Sequence, residues 1–471
     1  MNLAMVRFAI RQGTAAFVSI VLASGLAIAG EPLSVTGPAA TQPGQAFVWP
    51  SGSTIHYTVD TGPLSSNPSG QVVVSNAQGL TRVKALFQNW QSVATTSITY
   101  TYAGPITGVS GGDVKTVADY NTVRGTCTAG TQNPIVFDAN GSIFSGLGLD
   151  PLVIGFASTC KMNAQTGQIV AAMATLNGQF QDGVSNTTNF ELSADQFDEA
   201  MTHEIGHFSG LGHSQINLAE YLSGTVDACD TDDLAGLPLM FPVEFCQSRK
   251  SAGLPILSPD DKAWISKLYP GASYASSYGT ISGFVLFSDG ITAFQGANVI
   301  ARQVDNPSTP EDESKRIAVS CVSGFLFTGN PGQNISGDNA GNNQFGSRNT
   351  ALIGYYEIPV PPGDYTVEVE AIDGQFTGGS SVGPLDPPAH DFLAEFWHAN
   401  ESAWDDATQA DPVTVAAGQK ISNLNIILNG TPPRFDPNED GEVERFEPPD
   451  VPFLLRLPKR LIIQPVQGEA A

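Results

Sequence analysis

The chain has 471 residues, with 46 acidic against 21 basic side chains and a formal net charge of −25. Such an acidic excess repels nucleic acid and anionic membrane surfaces, which excludes both as partners. With 41% hydrophobic and 14% charged residues, 49 Gly and 32 Pro, the composition is that of a turn-rich, β-containing globular protein of two or three domains.

Residues 1–29 read as a secretory signal. Arg7 and Arg11 precede an apolar run from Ala15 to Ala29, and Ala27-Ile28-Ala29 has the small-x-small cleavage pattern. The run is about 15 residues, short of the roughly 20 that span a bilayer. The expectation is a secreted protein, extracellular or periplasmic, with no integral membrane segment after signal removal. Residues 30–44 are polar and Pro/Gly-rich, which predicts a flexible leader.

A first domain is expected over residues 45–272. Ile55–Val59 alternates like a strand, and Leu80, Val83, Leu86, Phe87 and Trp90 have helical spacing. Ile98–Tyr102, Ile135–Phe137, Leu152–Ala157 and Ile169–Leu176 read as short strands. Ser193–Ser209 reads as a helix, capped by Ser193 or Asp195 and ended by Gly210. Ser258-Pro259-Asp260-Asp261 starts a last helix, with a Ser cap, Pro in the first turn and two acids at the positive end of the dipole. Trp90 and Trp264 sit at core spacing.

Beyond Gly271 the pattern changes to a period of two, as in residues 279–287 and 363–370. This predicts a β-sandwich over residues 273–430, with a long polar loop from Gly329 to Asn349. His390 and His398 fall here and read as structural or surface residues. Residues 431–471 form an acidic, Pro-rich tail. Within it, Asp436, Asn438, Asp440, Gly441 and Glu447 have the spacing of a calcium loop. The flanks are Pro-rich, so a Ca2+ site and a solvated acidic tail both fit. Asp138-Ala139-Asn140-Gly141 is a shorter fragment of the same kind, readable as a tight turn or a cation loop.

Five cysteines can pair in an exported chain. Proximity along the chain suggests Cys127 with Cys160 and Cys229 with Cys246, leaving Cys321 odd. None has CxxC spacing, so none is read as a metal ligand.

The decisive text is His203-Glu204-Ile205-Gly206-His207-Phe208-Ser209-Gly210-Leu211-Gly212-His213. Histidines four apart on a helix lie on one face and can reach one ion. Gly210 breaks the helix and lets the chain bring in His213 as third ligand. Zinc favours three nitrogen ligands with an open fourth position when it is catalytic. Glu204 stands beside the first ligand, where it can take a proton from the water the metal activates.

These residues resemble the metzincin zinc proteases, whose signature is HExxHxxGxxH followed by a Met-turn. Leu237-Pro238-Leu239-Met240-Phe241-Pro242 is similar to that turn and would make Met240 the apolar floor under the metal. Ser214, the helix text Leu257–Tyr269 and Phe87-Gln88-Asn89-Trp90 resemble the matrixin branch. The resemblance covers roughly residues 45–271. It implies an α+β fold, with a twisted, mostly parallel sheet above the cleft and helices behind it. It further implies one catalytic Zn2+ on His203, His207 and His213, with Glu204 as general base in the hydrolysis of a protein or peptide substrate. By the same analogy, Ile169–Leu176 is either the edge strand that pairs with substrate or an ordinary core strand. The chain also departs from the family. No cysteine-bearing pro-segment of the matrixin kind precedes the catalytic region. His56 is the only other upstream histidine, so no second zinc is expected. The stretch from His213 to Met240 is long and could reshape the cleft, and Glu244 replaces a frequent Tyr. Residues 278–429 resemble a carboxypeptidase regulatory-like β-sandwich through Gly279-Thr280-Ile281-Ser282-Gly283, residues 296–301 and residues 362–367. Such domains are usually spacers or adhesion modules. Oligomeric state is not legible.

Overall fold

The computed structural model describes residues 31–34, 36, 41–42, 45–184, 191–217, 230–242, 246–294, 296–324, 352–372 and 392–429. The signal segment, Cys229, Glu244, the Gly329–Asn349 stretch, His390, the calcium-loop spacing and the acidic tail lie outside them. The described residues form a mixed α and β structure. No described helix is long and apolar enough to cross a membrane.

The first half is built on strands β1 (Thr54–Val59), β4 (Thr99–Pro105), β5 (Pro134–Asp138), β6 (Gly155–Asn163) and β7 (Gln168–Asn177), with a small hairpin of β2 (Ser65–Ser66) and β3 (Val72–Val74). The sheet order is β4–β1–β5–β7–β6. All pairings are parallel except that of β6 with β7. Both faces are covered. Ile135, Phe137, Ala172, Ala174 and Leu176 point into one core, while Val136, Ala171 and Met173 point into another. That alternation explains why β5 and β7 read as nearly continuous apolar runs.

Helices α1 (Asn76–Gln91) and α4 (Ala194–Phe208) share the first core. α1 buries Val83, Leu86, Phe87 and Trp90, the stripe expected from the sequence. Gly79 lets it approach the sheet, since a Cβ there would sit 2.9 Å from Leu64 and Phe137. The second core is covered by α2 (Val117–Ala129) and α3 (Ser142–Gly146). α2 is absent from the sequence reading. Its buried residues are only Tyr120, Val123 and Cys127, on an otherwise polar helix. Cys127 bonds to Cys160 of β6 with Cα atoms 5.6 Å apart, as expected. Cys246 is also disulfide-bonded, and Cys321 is free and buried. Asp138 accepts from Ile143 and Phe144 N–H at the start of α3, so its segment is a turn that caps a helix.

Two expectations need correction, and one open choice is decided. Of the two readings of Ile169–Leu176, the interior strand holds, because β7 is paired on both sides; the sheet's edges are β4 and β6. The strand sought at Leu152–Ala157 begins only at Gly155. Leu152 stands 51% exposed in a turn, and the real strand is a half-buried polar run that hydropathy does not reveal. The segment expected to be a flexible leader packs at its described residues. Glu31 and Leu33 are buried, Phe47 N–H bonds Ser34 O, and Thr36 N–H bonds Gln45 O.

Helices α5 (Thr231–Gly236) and α6 (Pro259–Leu268) follow α4. Ser258 caps α6 as its sequence foretold, and Asp261 completes a capping box with it. The second half has two sheets. One runs β10 (Ala318–Val322), β9 (Ala297–Gln303), β12 (Gly363–Ala371), β13 (Glu395–Phe396), with β14 (Val413–Val415) on β12. The other centres on β8 (Gly279–Leu286), flanked by β11 (Tyr355–Val360), β15 (Lys420–Ile421) and β16 (Ile426–Ile427). Their period-two buried residues, such as Tyr365, Val367 and Val369, share one apolar cluster with the first half.

Two outcomes are expected. Replacing Cys127 and Cys160 by Ser should remove about 2–4 kcal/mol, read as a lower urea midpoint. Glu357 of β11 bonds Lys267 of α6 at 2.5 Å and Lys420 at 2.8 Å. Burial alone would raise its carboxyl, but Lys267 and then Lys420 outweigh burial and hold it at about 2, below the usual 4.5. The pair therefore stabilises fully above pH 4.5 and progressively less as pH falls toward 2. Glu357→Gln should lack that part of the acid dependence, as acid titration followed by circular dichroism would reveal.

Candidate metal centre

The site is assembled from the end of α4. Ser193, not Asp195, caps the helix start, in a capping box with Gln196. His203 and His207 lie one turn apart on the same face. Gly210 then takes φ +89°, the left-handed conformation that ends a helix without a Cβ penalty. Such a buried helix end needs donors for its last carbonyls. Trp49 Nε1 donates to Phe208 O at 3.0 Å and Tyr269 OH to Ser209 O at 2.5 Å. The chain turns through Leu211 and Gly212 and delivers His213.

The three Nε2 atoms are each 3.0 Å from the other two. His203 Nδ1 lies 2.8 Å from Leu239 O and His207 Nδ1 lies 2.9 Å from Leu211 O. A carbonyl can only accept, so both Nδ1 atoms carry the proton and both Nε2 atoms present a lone pair. Burial lowers both histidines. For His207, burial and then neighbouring His203 bring it to about 3. Neutral imidazoles are the ligand form. Among the described residues these three are the group whose ligand atoms fall within 4.8 Å of one another.

This donor set fits a metal ion. The lone pairs of His203 and His207 converge with the third nitrogen on one point and repel unless a cation sits among them. Equal spacings of 3.0 Å lie between the edge of about 2.9 Å for a facial octahedral set and that of about 3.3 Å for a tetrahedron with bonds of 2.0–2.1 Å. They do not suit a square-planar ion, whose trans donors lie about 4 Å apart.

Met240 is 1% exposed and packs under α4. A Cβ on Gly206 would lie 2.4 Å from Met240 Sδ and 2.9 Å from Trp90. The glycine inside the motif therefore admits Met240 against α4. Asp261 holds the Met240 segment from the other side. Its carboxylate accepts from Leu239 N at 2.8 Å, Met240 N at 3.0 Å and Ser258 N at 2.7 Å. Asp261 thus orients the carbonyl that fixes His203. From the sequence it appeared only as a helix-start acid, and its reach to residues 239 and 240 had no local signal.

Glu204 faces β6. A Cβ on Gly155 would come within 3.0 Å of its Cγ. Ala157 N–H donates to its carboxylate, and its Oε2 has no hydrogen-bond partner among the described residues. Burial raises this carboxyl to about 8 against the pull of that N–H. His398 lies elsewhere, 3.5 Å from Asp411.

No family model matches the chain, and no curated protein matches it. The site geometry therefore carries the functional argument alone. Gly206→Ala should cost about 1–3 kcal/mol by displacing Met240, measured as a lower Tm. His207→Ala should abolish stoichiometric metal uptake, measured by elemental analysis.

Proposed function

We propose that this chain is a secreted zinc-dependent endopeptidase of metzincin type, with a matrixin-like catalytic half. The observation that carries the reading is the convergence of three Nε2 atoms at 3.0 Å with the buried, half-satisfied carboxyl of Glu204 on the same helix. His203, His207 and His213 would hold the ion, which supplies Lewis acidity and eases deprotonation of water near neutral pH. Glu204 takes the proton of the attacking water at its carboxylate and returns it to the leaving amine. Met240 and Asp261 keep the ligands in place.

The position of β6 supports a peptide as substrate. It is one of the sheet's two edges, and its Ala157 N–H bonds the Glu204 carboxylate. An extended chain pairing with β6 as an added strand would have its backbone carried past that carboxyl. The two-sheet half is read as a β-sandwich of the carboxypeptidase regulatory-like kind.

The test pairs metal analysis with digestion of casein or gelatin, on the wild type and on Glu204→Ala. The expected result is one zinc per chain in both and digestion by the wild type alone, with the loss at least about a hundredfold. Zinc without cleavage of any unfolded protein would overturn the protease reading and favour a binding module. No zinc would overturn the metal centre.

A further inference from the structure

Two of the three ligands are set by a helix. The third, His213, rides on a turn, and a turn needs other holds. On its N-terminal side the hold is the strap of residues 31–34. Leu33 N–H bonds Gly210 O and Glu31 O accepts from Gly212 N–H, both at 2.7 Å, around a bridge of Pro32 with Leu211. The Glu31 side chain is fully buried and crosses to the two-sheet half. Its Oε1 accepts from Val322 N–H at 2.8 Å and from the Cys321 thiol at 2.7 Å, at the end of β10.

On the C-terminal side, Ser214 N–H bonds Met240 O at 2.9 Å, and its hydroxyl lies 3.4 Å from that of Ser320 on β10. Ser320 is itself fixed, its N–H on Asp260 at 2.9 Å and its carbonyl receiving Trp264 Nε1 at 2.8 Å. The stretch between His213 and Met240 is gripped from the same half. Arg302 Nη1 donates to Asn217 at 2.7 Å, and Lys315 and Arg316 of the short helix α7 (Glu313–Arg316) pair with Asp233 and Asp232 of α5. A module that served only as a spacer would not receive buried polar groups from both sides of a ligand turn.

We propose that the strap 31–34 and strand β10 are positioning parts of the metal centre, setting through Glu31 and Ser320 the turn that carries His213. The inference rests on the metal reading above. It makes the two-sheet half a component of the site, so that a disturbance at the junction reaches the metal through His213 and through Leu211 O behind His207, and leaves His203 on its helix.

The test uses the full secreted chain and reads zinc affinity by competition with a chelating dye, together with the visible spectrum of the cobalt(II)-substituted protein. Glu31→Ala should weaken zinc binding about ten- to a hundredfold and shift the cobalt bands. Burial raises the Glu31 carboxyl to about 8, so it is neutral at pH 7, and Glu31→Gln should restore both readings without adding charge. Glu31→Asp, which keeps the acid but shortens its reach, should give the same change at smaller amplitude and serves if the alanine variant does not fold. Val83→Ala, in the α1 core, should lower the Tm and leave affinity and spectrum unchanged. Wild-type affinity and spectrum in both Glu31→Ala and Glu31→Asp would overturn the proposal. So would an equal loss of zinc in Val83→Ala at an equal drop in Tm. A wild type that takes up no metal would instead overturn the metal reading on which the proposal stands.

Discussion

Three imidazole nitrogens converge on one point, each 3.0 Å from the other two, and those of His203 and His207 direct lone pairs there. Held that close, they repel, and a protein keeps them there only if each ring is held from behind. Much of the first half serves that constraint. Leu239 O and Leu211 O fix two of the rings, and Asp261 and the strap fix the segments that carry those carbonyls. Second contacts of this kind set both the tautomer and the direction of a ligand.

The packing explains which small residues the site requires. Gly206 makes room for Met240, Gly210 reverses the chain, and Gly155 lets β6 pass close to Glu204. Glu204 pays for this enclosure with a raised carboxyl, since burial disfavours its charged form. The same enclosure leaves one of its oxygens without a hydrogen-bond partner among the described residues. Stability and chemistry therefore pull on the same few atoms.

Much of the fold was legible where a segment carries its own signal. α1, α4 and α6 were readable because their apolar stripes and caps are local. β5 and β7 were readable as buried apolar runs. α2 was not, since three buried residues on a polar helix give little periodicity. β6 was not, because an edge strand is half-buried and its polar residues look like a loop. The role of residues 31–34 was invisible for another reason. A Pro/Gly-poor or Pro/Gly-rich composition reports chain stiffness, whereas the docking of Glu31 depends on partners almost three hundred residues away.

The sequence by itself determined the grouping of His203 with His207 and the break at Gly210, because helix geometry converts a spacing of four into a shared face. It also determined the Cys127–Cys160 pair and the cap at Ser258. Tertiary structure alone decided that β6 forms a sheet edge, that Asp261 orients His203 through Leu239, and that β10 backs the His213 turn. Those relations join residues far apart in the chain, and no local pattern encodes a contact whose two halves meet only when the sheets close.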